Sequence, residues 1–276
     1  MKKSLKITLV SALALFLLAG CGFSPATSAE TISTAVSGTA TVLTASGSAS
    51  TTETLSSDLD VSVSKRDASG EYDASEAVTL SPGDDLTITE AGVYILSGVY
   101  EDQMIVIEVG EEDKVQLVLA GATMTNENGP VIYVRSADKV FITAAEGTVN
   151  TISDGSDYTL TDGETTLDAA VFSKEDLTIN GAGALTINGN TKHAVVSKDD
   201  LVVTAKDLTI NAVQTGLTGK DSVTLSEATI SILAGSDGVH TEGNALIESG
   251  TYTIQVRDDG VHADEKAEIA DRKSVV

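Results

Sequence analysis

Apolar residues in the C-terminal half of the chain alternate in short bursts that recur every 22 residues. Gly216-Leu217, Gly238-Val239-His240 and Gly260-Val261-His262 fall at that interval. Val223-Thr224-Leu225, Ala245-Leu246-Ile247 and Ala267-Glu268-Ile269 run in step with them, as do Ile230-Ser231-Ile232 and Tyr252-Thr253-Ile254. Alternation with a period of two marks a strand with one buried face. Three such strands in each fixed repeat predict a solenoid, an all-β parallel β-helix with three strands per coil of about 22 residues.

Earlier coils carry the same signal with small insertions. Val171, Val195, Leu217, Val239 and Val261 form one inward column; Leu177, Leu201, Val223, Ala245 and Ala267 form a second; Leu185, Leu208, Ile230 and Tyr252 form a third. Asp113-Lys114-Val115 and Asp138-Lys139-Val140 read as the same element in two earlier coils. A leucine-rich repeat has a similar length, but it needs a helical half and an Asn- or Cys-centred leucine signature. The chain has neither. Asn180-Gly181 and Asn188-Gly189 mark corners, where a left-handed backbone is cheap. Tryptophan is absent and aromatic residues make up 4% of the chain, which suits stacked aliphatic columns.

The repeats do not start at residue 1. Lys2, Lys3 and Lys6 precede an apolar run, Leu9 to Leu18, that is too short to span a bilayer comfortably. Leu18-Ala19-Gly20-Cys21 follows, and Cys21 is the only cysteine. This resembles a bacterial lipobox and implies a signal peptide over 1–20 with lipid on Cys21. The expected place is then the outer face of the cell membrane. An ordinary secretory signal cleaved after Ala29 is the alternative. Residues 21–56, rich in Ser, Thr and Ala, read as a disordered tether. Residues 57–85 read as an N-terminal cap or linker, in which Lys65-Arg66-Asp67 to Asp73 is expected as a loop. The β-helix is expected over 86–270. After Ile269 the repeat breaks off, so the array is expected to be truncated and residues 271–276 to be non-native.

The formal charge is −24, and without the three lysines of 1–20 it is −27, from 14 basic and 41 acidic residues. Such a surface argues against nucleic acid and against docking on anionic lipid. It would also repel an acidic polysaccharide unless cations intervene, which points to a divalent metal.

Several segments resemble a family of bacterial surface proteins with a carbohydrate-binding domain, a right-handed parallel β-helix related to pectate lyases. They are Gly92-Val93-Tyr94-Ile95-Leu96-Ser97-Gly98, Asp113 to Leu119, Ala137-Asp138-Lys139-Val140, Glu146-Gly147-Thr148 with Asn150 to Asp154, and Phe172 to Gly181. The resemblance implies binding of plant cell-wall polysaccharide, including pectic acid, with bound calcium. A weak pectate-lyase-like β-elimination is the alternative it leaves open, and a surface protein with no sugar ligand is a third. We expect a monomer.

The candidate chemistry is mainly acidic. Asp237 and Asp259 occupy equivalent bends on successive coils, and Glu242 and Asp264 form a second column. Hard oxygen ligands gathered this way suit Ca2+, although Asp-Gly is also an ordinary turn dipeptide. Asp154, Asp157, Asp162 and Asp168 lie in an insertion and are a second candidate calcium group. Lys198, Lys220 and Arg257 are the candidate bases for a lyase. Lys198 and Lys220 could instead pair with sugar carboxylates or with the acids beside them. His240 and His262 stack next to the aspartates, either as sugar contacts or as outward ladder residues in register with Thr218. Ala170, Ala194, Gly216, Gly238 and Gly260 are expected to form a flat outward strip. No Ser/His/Asp arrangement, phosphate-cradling loop or zinc signature is present.

Overall fold

A computed structural model of the chain describes residues 40–45, 63–83, 86–159 and 167–270. The signal segment 1–20, Cys21, Asp162 and the tail 271–276 lie outside the described residues. The described part is a parallel β-helix with three faces. Face A is an eight-stranded parallel sheet that includes Ile105–Glu108, Ile132–Ser136, Ala169–Ser173, His193–Ser197, Leu217–Gly219, Val239–Thr241 and Val261–Ala263. Faces B and C belong to one 15-stranded sheet. The 13-residue strand Lys114–Asn126 joins them, since its first half pairs with Lys139–Ala144 on face B and its second half with Val149–Asp154 on face C.

The three aliphatic columns read from the sequence build the core, except that in the last described coil Val261 is half-buried and Ala267 exposed. On face A, Ile132, Val171, Val195, Leu217, Val239 and Val261 stack in register. Face B stacks Val115, Val140, Leu177, Leu201, Val223, Ala245 and Ala267. Face C stacks Leu185, Leu208, Ile230 and Tyr252. One coil earlier, face C places Asn150 in that same column. Its side chain accepts from the backbone N–H of Gly121 and Ala122 at 2.9 and 3.0 Å and donates to Thr148 and Ala184. A buried amide is tolerated there because all its bonding capacity is used.

Two expectations are corrected. The first concerns Lys65-Arg66-Asp67, which is an α-helix, α1 (Lys65–Ser69), rather than a loop. Ser64 and Asp67 form a capping box, and Gly70 closes the helix at φ 62°. A Cβ at Gly70 would also press Asn180 and Thr143 at 3.1 Å. The helix docks on the outer side of face B. Asp67, 2% exposed, accepts from Thr178 Oγ1 at 2.6 Å and pairs with Lys139 Nζ at 2.9 Å. Asn180 and Thr204 donate to the Asp67 carbonyl at 3.1 and 2.6 Å. The second correction concerns Ala170, Ala194, Gly216 and Gly238, which are buried rather than forming an outward strip. A Cβ at Gly238 would meet Ile254 Cγ2 at 2.5 Å, so the corner admits only the smallest residues. Within 21–56, read as a disordered tether, Ala40–Ala45 form a strand antiparallel to Gly250–Gln255.

Burial opposes ionisation of Asp67, but hydrogen bonds from Ser64, Thr178 and Lys139 outweigh it and hold the carboxyl below its ordinary value. A depressed carboxylate stabilises the fold above its unfolded pKa, about 3.9, and that contribution fades as pH falls through the lower folded value. Asp67→Ala removes this and leaves Lys139 unpaired on the sheet. The expected loss is about 3 kcal/mol at neutral pH, read from chemical denaturation, with the gap to the parent narrowing in acid. Equal stability of the two proteins at pH 7 would refute the docking role.

Candidate functional site

The outward positions of face A form one row that changes character along the axis. In chain order it runs Val106, Tyr133, Phe172, Val196, Thr218, His240 and His262. Alternation puts these residues outside because their neighbours fill the inward column. In the early coils the row is covered. Tyr133 and Phe172 meet edge to face at 6.1 Å between centroids, and Leu167, Ala169, Val196, Met104 and Tyr158 pack with them. Tyr158 and Leu167, at the two described ends of the segment between Asp154 and Asp168, pack at this end of face A. In the later coils the row is open. There a groove of about 270 Å3 is lined by Asp168, His193, Lys198, Thr218, Lys220, Asp237, His240 and Glu242, among others.

The two histidines lie in register with Thr218, as the spacing predicts, and their rings stack at 5.0 Å and 10°. His240 Nδ1 is 3.5 Å from Asp237 Oδ2. His262 lies between Asp259 at 3.1 Å and Asp264 at 3.2 Å, and hydrogen bonds with both raise its pKa. Asp237 and Asp259 stand on successive coils as expected, and the Asp259 N–H donates to Asp237 Oδ1 at 3.0 Å. Asp258 joins them: ligand oxygens of Asp237, Asp258 and Asp259 all lie within 4.8 Å of one another. Three carboxylates this close repel one another unless a cation or a proton intervenes. Hard oxygen donors at that separation fit calcium. Glu242 and Asp264 stand one row away.

The insertion acids do not form a single group among the described residues. Asp154, 5% exposed, accepts from Tyr158 Oη at 2.6 Å and from the Asn190 backbone, so its carboxylate closes a turn. Asp157 is exposed beside it. Asp168 lies on the groove instead, 3.5 Å from Lys192 Nζ. Of the three candidate bases, Lys198 and Lys220 line the groove, and Arg257 is exposed and outside it.

Sequence reasoning missed two features. His193 faces the groove, accepts from the Thr215 N–H through Nδ1 at 3.3 Å, and turns Nε2 toward Asp168 at 3.9 Å. Burial lowers its pKa, with Asp168 opposing. Its only signal was a position one residue before an inward alanine. The second is the gathering of Asp176, Asp199 and Asp200, which the sequence shows only as acids in register beside Lys174 and Lys198 and whose ligand oxygens also lie within 4.8 Å of one another. Burial, followed by the Asp199 and Asp200 charges against the opposing pull of Lys139, pushes Asp176 up to about 6.

Because the folded pKa of Asp176 is raised, its ionised form opposes folding above pH 6 and its protonated form does not below the unfolded value, about 3.9. Asp176→Asn is expected to raise the melting temperature at pH 7.5, with the gain shrinking toward pH 4. A lower melting temperature at pH 7.5 would show instead that the charge is structurally required.

The comparisons with known proteins agree with this fold. A sequence model of a family described as carbohydrate-binding domain-containing protein matches residues 82–274. A protein of that description from Acetivibrio thermocellus is 30% identical over 129 residues, 46% of this chain and 45% of its own length, so the match spans less than half of that relative. Among solved structures, the polysaccharide lyase-like protein from C. thermocellum, a gadolinium derivative, superposes with a TM-score of 0.62 at 27% identity. That superposition covers 72% of this chain and 98% of the other. The fold is shared along nearly the whole of that neighbour, and with the family match covering most of the chain, this protein belongs to the carbohydrate-binding domain-containing family.

Proposed function

We propose that the chain is a cell-surface module, lipid-anchored through Cys21, that holds an acidic polysaccharide along the open groove of face A with the help of calcium. The observation that carries this reading is the meeting of carboxylates and lysines on one groove: Asp168, Asp237 and Glu242 share it with Lys198 and Lys220. A neutral, cellulosic chain binds chiefly through exposed aromatic faces, and Tyr133 and Phe172 are each 1% exposed. A polyanion uses both signs, with the lysines pairing directly and the acids pairing through a bridging cation. Asp237, Asp258 and Asp259 would hold that calcium, which supplies positive charge shared between protein and uronate carboxylates. The remaining chemistry belongs to the chain. Lys198 and Lys220 orient the sugar acids, and the His240–His262 stack forms a flat polar floor.

A second reading, β-elimination, is favoured by one observation: two of the candidate bases, Lys198 and Lys220, face the same groove as the acids. It requires an uncharged amine beside the sugar C5 proton. Binding requires only the charge.

Retention on immobilised polygalacturonate separates these ideas from a protein with no sugar ligand. At physiological salt the protein should be retained in calcium and largely released by chelator. Asp237→Asn combined with Asp259→Asn should abolish the calcium effect. Retention that ignores chelator, or no retention at all, would overturn the reading.

A further inference from the structure

The position one residue past the Val134–Ser173–Ser197–Gly219 register of face A stacks into a row of its own, fixed by backbone hydrogen bonds such as Lys174 N–H to Val134, Lys198 N–H to Ser173 and Lys220 N–H to Ser197. In chain order the row is Arg135, Lys174, Lys198, Lys220, Glu242 and Asp264. Four of the chain's 17 basic residues therefore stand consecutively in one line, and then the sign reverses. Stacked strands lie about 4.8 Å apart, so this is a closely spaced file of charge on a rigid backbone.

The side chains lean over the outward row of face A. Arg135 and Lys174 lie 5.3 and 5.4 Å from the centre of the Tyr133 ring, and Lys198 lies 5.5 Å from that of Phe172. Lys174 and Lys198 thus reach back over the aromatic ring of the preceding coil. Neutralisation of neighbouring acids accounts for part of the file, since Arg135 pairs with Glu108 and Lys220 with Asp221, both at 3.3 Å. It does not account for Lys198. That ammonium makes no ion pair among the described residues, in a chain with 41 acidic residues.

We propose that this row is the specificity element of the groove and divides it into two sections. Over Lys198 and Lys220, which line the groove, the carboxylates of an acidic chain pair directly with cations, and Lys174 and Arg135 continue the file beyond its early end. Over Glu242 and Asp264 the row repels them, and the chain is held there only through a divalent cation on the neighbouring aspartates. This rests on the reading that the groove takes an acidic polysaccharide, and it adds a polarity along the axis. An exposed ion pair is weak and screened by salt. Several in file act on one polymer, so their effects multiply.

The test uses the full chain and a fluorescent oligogalacturonate, followed by anisotropy at low and high salt, in calcium and in chelator. A methyl-esterified oligomer serves as the uncharged control. In chelator at low salt the parent should retain weak binding that disappears at high salt. Lys198→Gln should weaken affinity about two- to fivefold in both calcium and chelator, and Lys174→Gln with Lys198→Gln about tenfold. Glu242→Gln should strengthen binding in chelator. Unchanged melting temperatures confirm that the variants fold. If the lysine variants bind like the parent while calcium-dependent binding persists, the row has no such role and the broader reading stands. If the parent binds no oligogalacturonate even in calcium, both fall.

Discussion

Everything in this molecule follows from parallel, in-register hydrogen bonding between successive coils. A strand on one coil can bond only to its equivalent one turn earlier, so each residue sits directly on its counterpart at one strand spacing. Inward, that rule builds continuous aliphatic ladders such as Val195–Leu217–Val239–Val261, which need no aromatic bulk to exclude water. Outward, the same rule lines up like groups whatever their charge. Asp237 under Asp259, His240 under His262 and Lys198 under Lys220 are consequences of one constraint.

Stacking like charges is costly, and the two outer flanks of face A meet that cost in different ways. Asp237, Asp258 and Asp259 gather within ligand distance, where a hard cation would relieve their repulsion. On the other flank the cations stand over aromatic rings, whose negative faces offset part of their mutual repulsion. Leu167 and Tyr158 pack in the cluster of Tyr133 and Phe172 at the early end of the face. The groove lined by Lys198 and Lys220 lies over the later coils, where the outward row turns from aromatic to Thr218 and histidine.

The columns, the coil length and the His-on-Thr register could all be read from the sequence, because period-two alternation repeated at 22 residues leaves little choice of register. Helix α1 reads as a loop in the sequence, although Ser64, Asp67 and Gly70 carry its cap signals. Its stability comes from Lys139, Thr178, Asn180 and Thr204, which are distant in sequence. A similar limit explains Asp154: one acid among many in a loop looks like a ligand until its partners Tyr158 and Asn190 are known. The small residues at the corner were legible as a column. Their inward direction was not, because a bend breaks the alternation that assigns sides.

The central claim is that the open groove of face A is where the glycan sits. Hydroxyl-radical footprinting with oligogalacturonate and calcium tests it directly. His240 and His262 should lose reactivity on binding, while Leu233, 52% exposed on face C, should not change. Protection of Leu233 with the two histidines unaffected would place the ligand on another face and contradict the account.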